Sequence, residues 1–252
     1  FILKGGMLIS AMVGIDNRAT MDIDTTLRNY PLNCESAEQI VRQIADVEID
    51  DKISFVIKKT EEIMEDSEYQ GVRLSLDAYL DKTRIPLKID ISTGDVITPC
   101  EISFSYQLMF ENRTIPLLAY PPETVLAEKL ETILSRGEAN TRLRDFYDVY
   151  ILQREDFVVT PDALCHALLA TCRKRGHEDL LHTYASILDR VRQSDTMRTQ
   201  WMKYQSDFDY AAGITWDTVL DTVETLCMKT LDDHAFGDEL PQEESQFEMH
   251  LL

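Results

Sequence analysis

The sequence predicts an α+β protein, in which a mixed sheet with helices is followed by an all-helical C-terminal lobe. Two observations support this fold class. In the first half, stretches that alternate apolar and polar residues, as strands do, are mixed with stretches of helical spacing. From Pro121 onward the apolar residues recur with helical spacing, and turn glycines separate several of the segments. We therefore divide the chain into an α/β lobe (residues 1–120), a helical lobe (residues 121–231) and a tail (residues 232–252).

The elements of the α/β lobe follow from these two spacings. An apolar strand ends at Gly5-Gly6, and an apolar helix follows the glycines. A second helix is predicted to begin at Ser36, whose hydroxyl is a preferred N-cap group. Residues 102–109 form either a further strand or a loop into the next lobe. The predicted order is strand 1–3, helix 7–13, strand 20–27, helix 36–47 and strands 53–58, 71–79 and 85–92.

The helical lobe is predicted from its apolar spacing and its start signals. Pro161 directly after Thr160 is typical of a helix start, because proline fits the first turn and threonine caps it. Past Leu231 the chain is acidic and loses its periodicity, which predicts a disordered tail. Helices are predicted at residues 121–134, 141–153, 161–175, 178–192, 196–210 and 216–230.

The composition predicts a soluble, cytoplasmic protein with no membrane partner. No apolar run approaches the roughly 18–20 residues that cross a bilayer, and no signal peptide is visible. Because the chain begins at Phe1 inside a strand-like run, we expect further residues upstream. The five cysteines are scattered without a C-x-x-C pair, so neither a disulfide framework nor a zinc site is indicated.

The formal net charge of −20 restricts the partners of the protein. A chain this acidic has no overall attraction for nucleic acid, so RNA binding would need a local basic patch. The helical lobe contains residues that could form one if the fold brings them together. They are Arg136, Arg142, Arg144, Arg173, Lys174 and Arg175.

A candidate phosphate-binding motif lies where the first strand meets the first helix. Lys4 is followed there by Gly5 and Gly6. Two glycines let the backbone approach a ligand closely, and the N–H groups at a helix start favour an anion such as a triphosphate. A Gly-Gly pair alone is more often only a turn, so the motif depends on its neighbours.

Two carboxylates are predicted to share one face of the strand at residues 20–27. Asp22 and Asp24 alternate with Met21 and Ile23, so the acids project from one face and the apolar side chains pack on the other. Adjacent carboxylates repel each other unless a hard cation such as Mg²⁺ neutralises them. The alternative is an edge-strand face that carries ordinary solvated charges.

A third carboxylate, Asp90, lies in a strand with the same alternation. Lys88 and Ser92 share its face, and the apolar residues between them point inward. If this strand neighbours the first, Asp90 completes a site for two divalent ions that bind nucleotide phosphates and activate the attacking group. An amphipathic strand without catalytic function is the alternative.

A further set of charged residues lies on two predicted helices. Lys129 is suited to bind a phosphate oxygen as a point charge, with Asp145 or Asp148 orienting it. In the alternative, structural interpretation, Arg144 and Asp148 are four residues apart and pair along the helix surface.

Together and in this order, these segments resemble the AbiEii/AbiGii toxin family of nucleotidyltransferases. Each segment is short, but their shared order and spacing make chance agreement improbable. The matching segments are Leu3-Lys4-Gly5-Gly6, Arg18-Ala19-Thr20-Met21-Asp22-Ile23-Asp24, Leu87-Lys88-Ile89-Asp90-Ile91, Ala127-Glu128-Lys129-Leu130 and Arg144-Asp145-Phe146-Tyr147-Asp148.

The resemblance implies a DNA-polymerase-beta-like nucleotidyltransferase fold that precedes a helical lobe. It also implies magnesium- or manganese-dependent transfer of a nucleoside monophosphate from an NTP to an acceptor such as a tRNA. Such proteins are toxins of bacterial toxin–antitoxin or phage-defence systems, beside a separately encoded antitoxin. By position, the metal ligands would be Asp22, Asp24 and Asp90, the other catalytic residues Lys129, Asp145 and Asp148, and the nucleotide-binding residues Lys4, Gly5, Gly6, Ser10, Lys88 and Arg144.

One position departs from the family pattern. A serine or threonine usually follows the glycines, whereas this chain has Met7, with Ser10 one helical turn further on. We expect either weaker nucleotide binding or substitution by Ser10. Two other functions remain open: a nucleotidyltransferase that modifies a small molecule such as a cationic antibiotic, and a catalytically degenerate binding module.

Overall fold

A mixed β-sheet forms the centre of the N-terminal half. This computed structural model describes residues 1–49, 51–64, 70–109, 111–154 and 159–232. Within these residues, seven strands pair in the order β3-β4-β5-β2-β1-β7-β6. The pairs β2–β5 and β1–β7 are parallel, and the other neighbours are antiparallel. The strands are β1 (Ile2–Lys4), β2 (Asp22–Thr26), β3 (Ile53–Met64), β4 (Gln70–Leu80), β5 (Thr83–Ser92), β6 (Ile102–Gln107) and β7 (Thr114–Ala119).

Helices flank the sheet and make up the C-terminal half, so the predicted α+β class is confirmed. Two helices belong to the sheet-containing half, and six follow Pro121 in the described chain. Thr160 caps one of these as predicted, since its side chain accepts from the N–H of Ala163. The helices are α1 (Gly5–Val13), α2 (Cys34–Ala45), α3 (Pro122–Arg136), α4 (Leu143–Leu152), α5 (Pro161–Lys174), α6 (Leu180–Gln193), α7 (Asp195–Asp207) and α8 (Trp216–Leu231).

Two apolar clusters hold these elements together. The larger joins α1, β1 and β7 to the C-terminal helices, and Leu8 and Ile9 of α1 are fully buried in it. The smaller lies where α2 covers β4 and β5, through residues such as Val41 and Leu74. Burial of α1 against the helical half fixes the start of this helix, where the glycines lie. The lobe boundary at residues 120 and 121 stays a prediction.

Three local expectations differ from the structure. Asn33, and not Ser36, is the N-cap of α2, and the two residues form a reciprocal capping box. Met21 is 70% exposed because β2 begins only at Asp22, so it does not pack on the apolar face. Strand β7 was not predicted; it is only six residues long and contains a proline.

The predicted tail lies outside the described residues apart from Asp232. Within the described chain, no helix has both the length and the apolar character to cross a bilayer.

Candidate active site

The strand register brings the predicted carboxylates to one face of the sheet. Asp24 lies opposite Asp90 across the parallel β2–β5 pair and opposite Lys4 across the antiparallel β1–β2 pair. Asp22 precedes Asp24 by two residues and therefore lies on the same face. All four side chains line one cleft of about 1460 Å³. The site thus combines carboxylates from two strands with a lysine from a third.

Gly5 and Gly6 bring the start of α1 against Asp24. The Gly6 N–H donates to Asp24 Oδ2 over 3.3 Å. Gly5 has φ +63°, and a Cβ there would lie 2.1 Å from the same oxygen. Burial raises the pKa of Asp24; the Gly6 hydrogen bond opposes this shift, and the charge of Asp90 adds to it. Asp24 is therefore a crowded, partly desolvated carboxylate beside the N–H groups of a helix start.

Ser10 and Lys88, two predicted nucleotide-binding residues, are not among the residues that line this cleft. Ser10 is on α1 beyond the cleft lining, and the Lys88 side chain is exposed opposite Asp22 on β5. A different hydroxyl is close to the glycines: Thr20 Oγ1 lies 2.9 Å from the place a Gly6 Cβ would occupy. Thr20 lines the cleft, so its hydroxyl is better placed than that of Ser10 to face a ligand.

Lys129 of α3 reaches two carboxylates of α4. Its Nζ lies 2.6 Å from Asp145 Oδ1 and 3.0 Å from Asp148 Oδ2. Burial disfavours the charged form of Lys129, but the two neighbouring carboxylates hold its pKa above the ordinary value. Lys129 is therefore a fixed cation at the cleft wall, oriented by both acids.

Asp148 connects this lysine to the segment before β2. Arg18 donates to its two oxygens, with Nε at 2.7 Å from Oδ1, and both side chains are almost fully buried. The predicted surface pair of Arg144 with Asp148 is wrong, because Asp148 is 0% exposed. Arg144 lies instead over the Phe208 ring, 5.2 Å from its centroid, and both line the cleft. Arg18 belongs to the matched motif, but the sequence did not predict its burial, because arginine side chains are usually exposed.

Asp95 is a site residue that the sequence did not indicate. It accepts from Lys4 Nζ at 2.8 Å, Ser92 Oγ at 2.6 Å and Tyr120 Oη at 2.9 Å, and it also bonds to Thr26. Burial opposes ionisation, but Lys4 and the hydroxyl donors lower the pKa of Asp95 to about 2. Asp95 thereby fixes Lys4 beside the carboxylates. Asp95 lies in a loop, where the sequence has no strand or helix periodicity that would have indicated the direction of its side chain.

Arg73 of β4 is the second unexpected participant. Its Nε and Nη2 donate to the two oxygens of Asp90 over 2.7 and 2.6 Å. This pairing follows from the antiparallel register of β4 and β5, in which Arg73 lies opposite Asp90. Among the described residues, no group of three or more His, Cys, Asp or Glu side chains is arranged to hold a metal ion. Asp90 shares the face of Asp22 and Asp24, but its oxygens are bonded to an arginine.

The six basic residues predicted as a patch all line the same cleft. Its lining has ten lysines and arginines against seven aspartates and glutamates, in a chain with a net charge of −20. Arg175 contacts the buried Glu131, which also lies 2.6 Å from His177 Nδ1. The members are Arg136, Arg142, Arg144, Arg173, Lys174 and Arg175. This basic wall comes from the helical part of the cleft lining, whereas Asp22, Asp24 and Asp90 come from the sheet.

The hydrogen bonds and the ion pair of Asp95 favour its charged form and thereby stabilise the folded protein. Because its pKa is lowered from 3.8 to about 2, Asp95→Asn should decrease the free energy of unfolding by about 2 kcal/mol at pH 7. The difference from wild type should be complete above pH 4 and fall to about half at pH 3. Urea unfolding at several pH values measures it, with the exposed Asp16→Asn as control. Equal midpoints at pH 7 would contradict this role.

Gly5 should tolerate a side chain less well than another glycine with positive φ. Gly213 has φ +78°, and a Cβ added there would meet nothing within 4 Å, so Gly213→Ala isolates backbone strain. That strain costs about 1–2 kcal/mol, and Gly5→Ala should cost about 1–3 kcal/mol more because the methyl group displaces Asp24. Chemical denaturation compares the variants, and equal losses would show that the contact with Asp24 is unimportant.

Comparison with known proteins agrees with the resemblance seen in the motifs. A family model described as nucleotidyl transferase AbiEii toxin, type IV TA system, matches residues 1–222. No curated protein matches the chain significantly.

Two solved structures are similar at low sequence identity. A candidate nucleotidyltransferase from H. pylori is 14% identical, with 92% of this chain and 88% of that chain covered and a TM-score of 0.46. JHP933 from Helicobacter pylori is 15% identical, with 92% and 85% covered and a TM-score of 0.47. Because the family model spans most of the sequence, the chain belongs to the AbiEii family of nucleotidyl transferase toxins of type IV toxin–antitoxin systems.

Proposed function

We propose that this nucleotidyltransferase moves a nucleoside monophosphate from an NTP to an acceptor in the cleft, with release of pyrophosphate and dependence on Mg²⁺ or Mn²⁺. The observation that carries the proposal is the register of β2 and β5, which places Asp24 opposite Asp90 with Asp22 on the same face. These carboxylates lie beside a glycine-started helix in a cleft with basic residues. Such a combination suits the polyanionic substrate of this reaction.

The donor set suits a hard divalent cation by its chemistry, although the described side chains as they stand do not form a group arranged to hold one. Asp22, Asp24 and Asp90 offer carboxylate oxygens, which Mg²⁺ and Mn²⁺ prefer. Burial, and to a lesser extent the neighbouring Asp90, raises the pKa of Asp24, so a bound cation would favour its charged form. Asp90 already bonds a cationic group, the guanidinium of Arg73. These three residues would hold the ion, which when bound neutralises phosphate charge and activates the attacking group.

The remaining residues bind and orient the nucleotide. Gly5 and Gly6 let the backbone at the start of α1 approach phosphate oxygens, and Lys4 is held beside them by Asp95. Lys129 contributes a point charge whose direction is set by Asp145 and Asp148. Arg18 and Arg142 also contact these two acids, so three cations face two carboxylates and the group keeps a net positive charge.

A phosphate-bearing acceptor such as a tRNA end is favoured over a cationic antibiotic. The cleft lining has more basic than acidic residues, so it repels a polycation on its helical side and attracts an RNA backbone. The type IV toxin–antitoxin family further supports a role as a toxin in phage defence, in the cytoplasm where NTPs are present, with a cognate antitoxin.

Asp22→Asn should reduce nucleotide transfer by at least about 100-fold. Its stability should be unchanged or slightly increased, because the substitution relieves repulsion between carboxylates. Labelled NTPs with total RNA measure the transfer, and Asp16→Asn, an exposed acid outside the cleft, is the matched control.

A thermal shift gives an independent measure of the same role. NTP with Mg²⁺ should raise the melting temperature of wild type and of Asp16→Asn, but not of Asp22→Asn. Full transfer activity in Asp22→Asn would refute its proposed role. No thermal shift in wild type would favour a binding module without nucleotide.

Arg173→Gln should weaken acceptor binding without changing the KM for NTP. Arg173 is exposed on the basic wall, at the end of α5, and is not on the strands that carry the carboxylates. If Arg173 contacts a phosphate, the KM for RNA should rise in the variant. The slope of log KM against log salt concentration should also decrease by about 1, because one phosphate contact is lost. Arg190→Gln removes an exposed arginine outside this cleft and should change neither value. Equal behaviour of the two variants would exclude the wall as the acceptor site.

A further inference from the structure

Arg73 binds Asp90 in a way that no catalytic motif requires. Nε and Nη2 approach Oδ1 and Oδ2 at 2.7 and 2.6 Å, which is the parallel, two-bond geometry of a guanidinium with a carboxylate. Arg73 lies within β4, and the backbone register places it directly across from Asp90. The pair is therefore built into the sheet and does not depend on a flexible loop.

The charges around this pair favour a cation at that place. Asp90 contributes most to stabilising the positive charge of Arg73, and the negative charges of Asp22 and Glu61 stabilise it further. Asp24 lies opposite Asp90 on the other side, on β2. The guanidinium thus partly neutralises the carboxylate face on which the proposed metal site depends.

A divalent cation bound at Asp90 would compete with Arg73 for the same two oxygens. While both oxygens of Asp90 accept from the guanidinium, a second cation at Asp90 would meet a fixed positive charge within a few ångströms. The side chain of Arg73 is 36% exposed, so the guanidinium can leave toward solvent without leaving a buried charge unpaired.

We propose that Arg73 is an internal counter-ion of Asp90, which lowers the affinity of the free protein for divalent cations. This inference rests on the proposed metal site at Asp22, Asp24 and Asp90. The negative charge of a bound nucleotide shifts the competition toward the metal, so that cation and nucleotide bind together. Arg73 is a positioning residue in this scheme, since it acts through Asp90.

Binding of Mn²⁺ to the protein without nucleotide tests the proposal directly. Mn²⁺ that stays free in solution is measured by electron paramagnetic resonance. Arg73→Gln should lower the Kd for Mn²⁺ by at least about fivefold relative to wild type. Arg73→Lys keeps a charge but loses the two-bond geometry, so its Kd should fall between those of wild type and Arg73→Gln.

Arg84→Gln is the matched control for removal of one positive charge. Arg84 lies on β5, the strand of Asp90, and its side chain is 62% exposed, 3.6 Å from Asp77. Its Kd for Mn²⁺ should stay within about twofold of the wild-type value, because an exposed charge six residues along the strand from Asp90, roughly 20 Å away, is screened. Urea unfolding establishes that each variant is folded, and Arg73→Lys replaces Arg73→Gln if the latter is not.

The outcomes separate this proposal from the proposed function. If wild type binds Mn²⁺ and Arg73→Gln binds it no better, or Arg84→Gln gains as much, Arg73 is not the counter-ion. If wild type and both Arg73 variants all fail to bind Mn²⁺ with or without NTP, the metal site itself is refuted, and the counter-ion role with it. If Arg73→Gln binds Mn²⁺ tightly and the double variant Arg73→Gln/Asp90→Asn does not, the result supports both the metal site and the counter-ion role.

Discussion

The parallel pairing of β2 with β5 places Asp24 directly beside Asp90, so carboxylates that repel each other share one face of the sheet. Their repulsion is the constraint to which the surrounding groups respond. The Gly6 N–H donates to Asp24, and the Arg73 guanidinium binds Asp90. Lys4 lies opposite Asp24 and is held there by Asp95. A fold that gathers negative charge in this way must either neutralise it internally or bind a cation.

The helical half supplies the opposite charge. Lys129 of α3 meets Asp145 and Asp148 of α4, and Asp148 in turn holds the buried Arg18 just before β2. This ion-pair network joins the two halves of the chain at the cleft. With Arg142, which contacts Asp145, the network has three cations to two carboxylates. The basic wall extends the same charge along α3 and α5. The cleft therefore has an acidic wall from the sheet and a basic wall from the helices, and a nucleotide with a cation matches both.

Much of this arrangement was predictable because alternation along a strand fixes which side chains share a face. The two-residue spacing of Asp22 and Asp24, and the same parity at Asp90, predicted one carboxylate face. Helical spacing predicted all six C-terminal helices within a few residues of their observed bounds. The expected α+β class and the family followed from these elements and from the order of the motifs. Assignment of individual catalytic roles stays a prediction.

The unpredicted contacts share one physical feature: each depends on which strands or helices become neighbours. Arg73 meets Asp90 over 17 residues of sequence, Lys4 meets Asp95 over 91, and Arg18 meets Asp148 over 130. Local spacing contains no information about such pairs, because the partner of a charge is chosen by strand register and by burial. A charged residue is ordinarily exposed unless it is paired, so the buried position of Arg18 does not follow from the sequence alone. The site is assembled where these long-range pairs close, which is why the shared face of Asp22, Asp24 and Asp90 was predictable but the charged partners Arg73 and Asp95 were not.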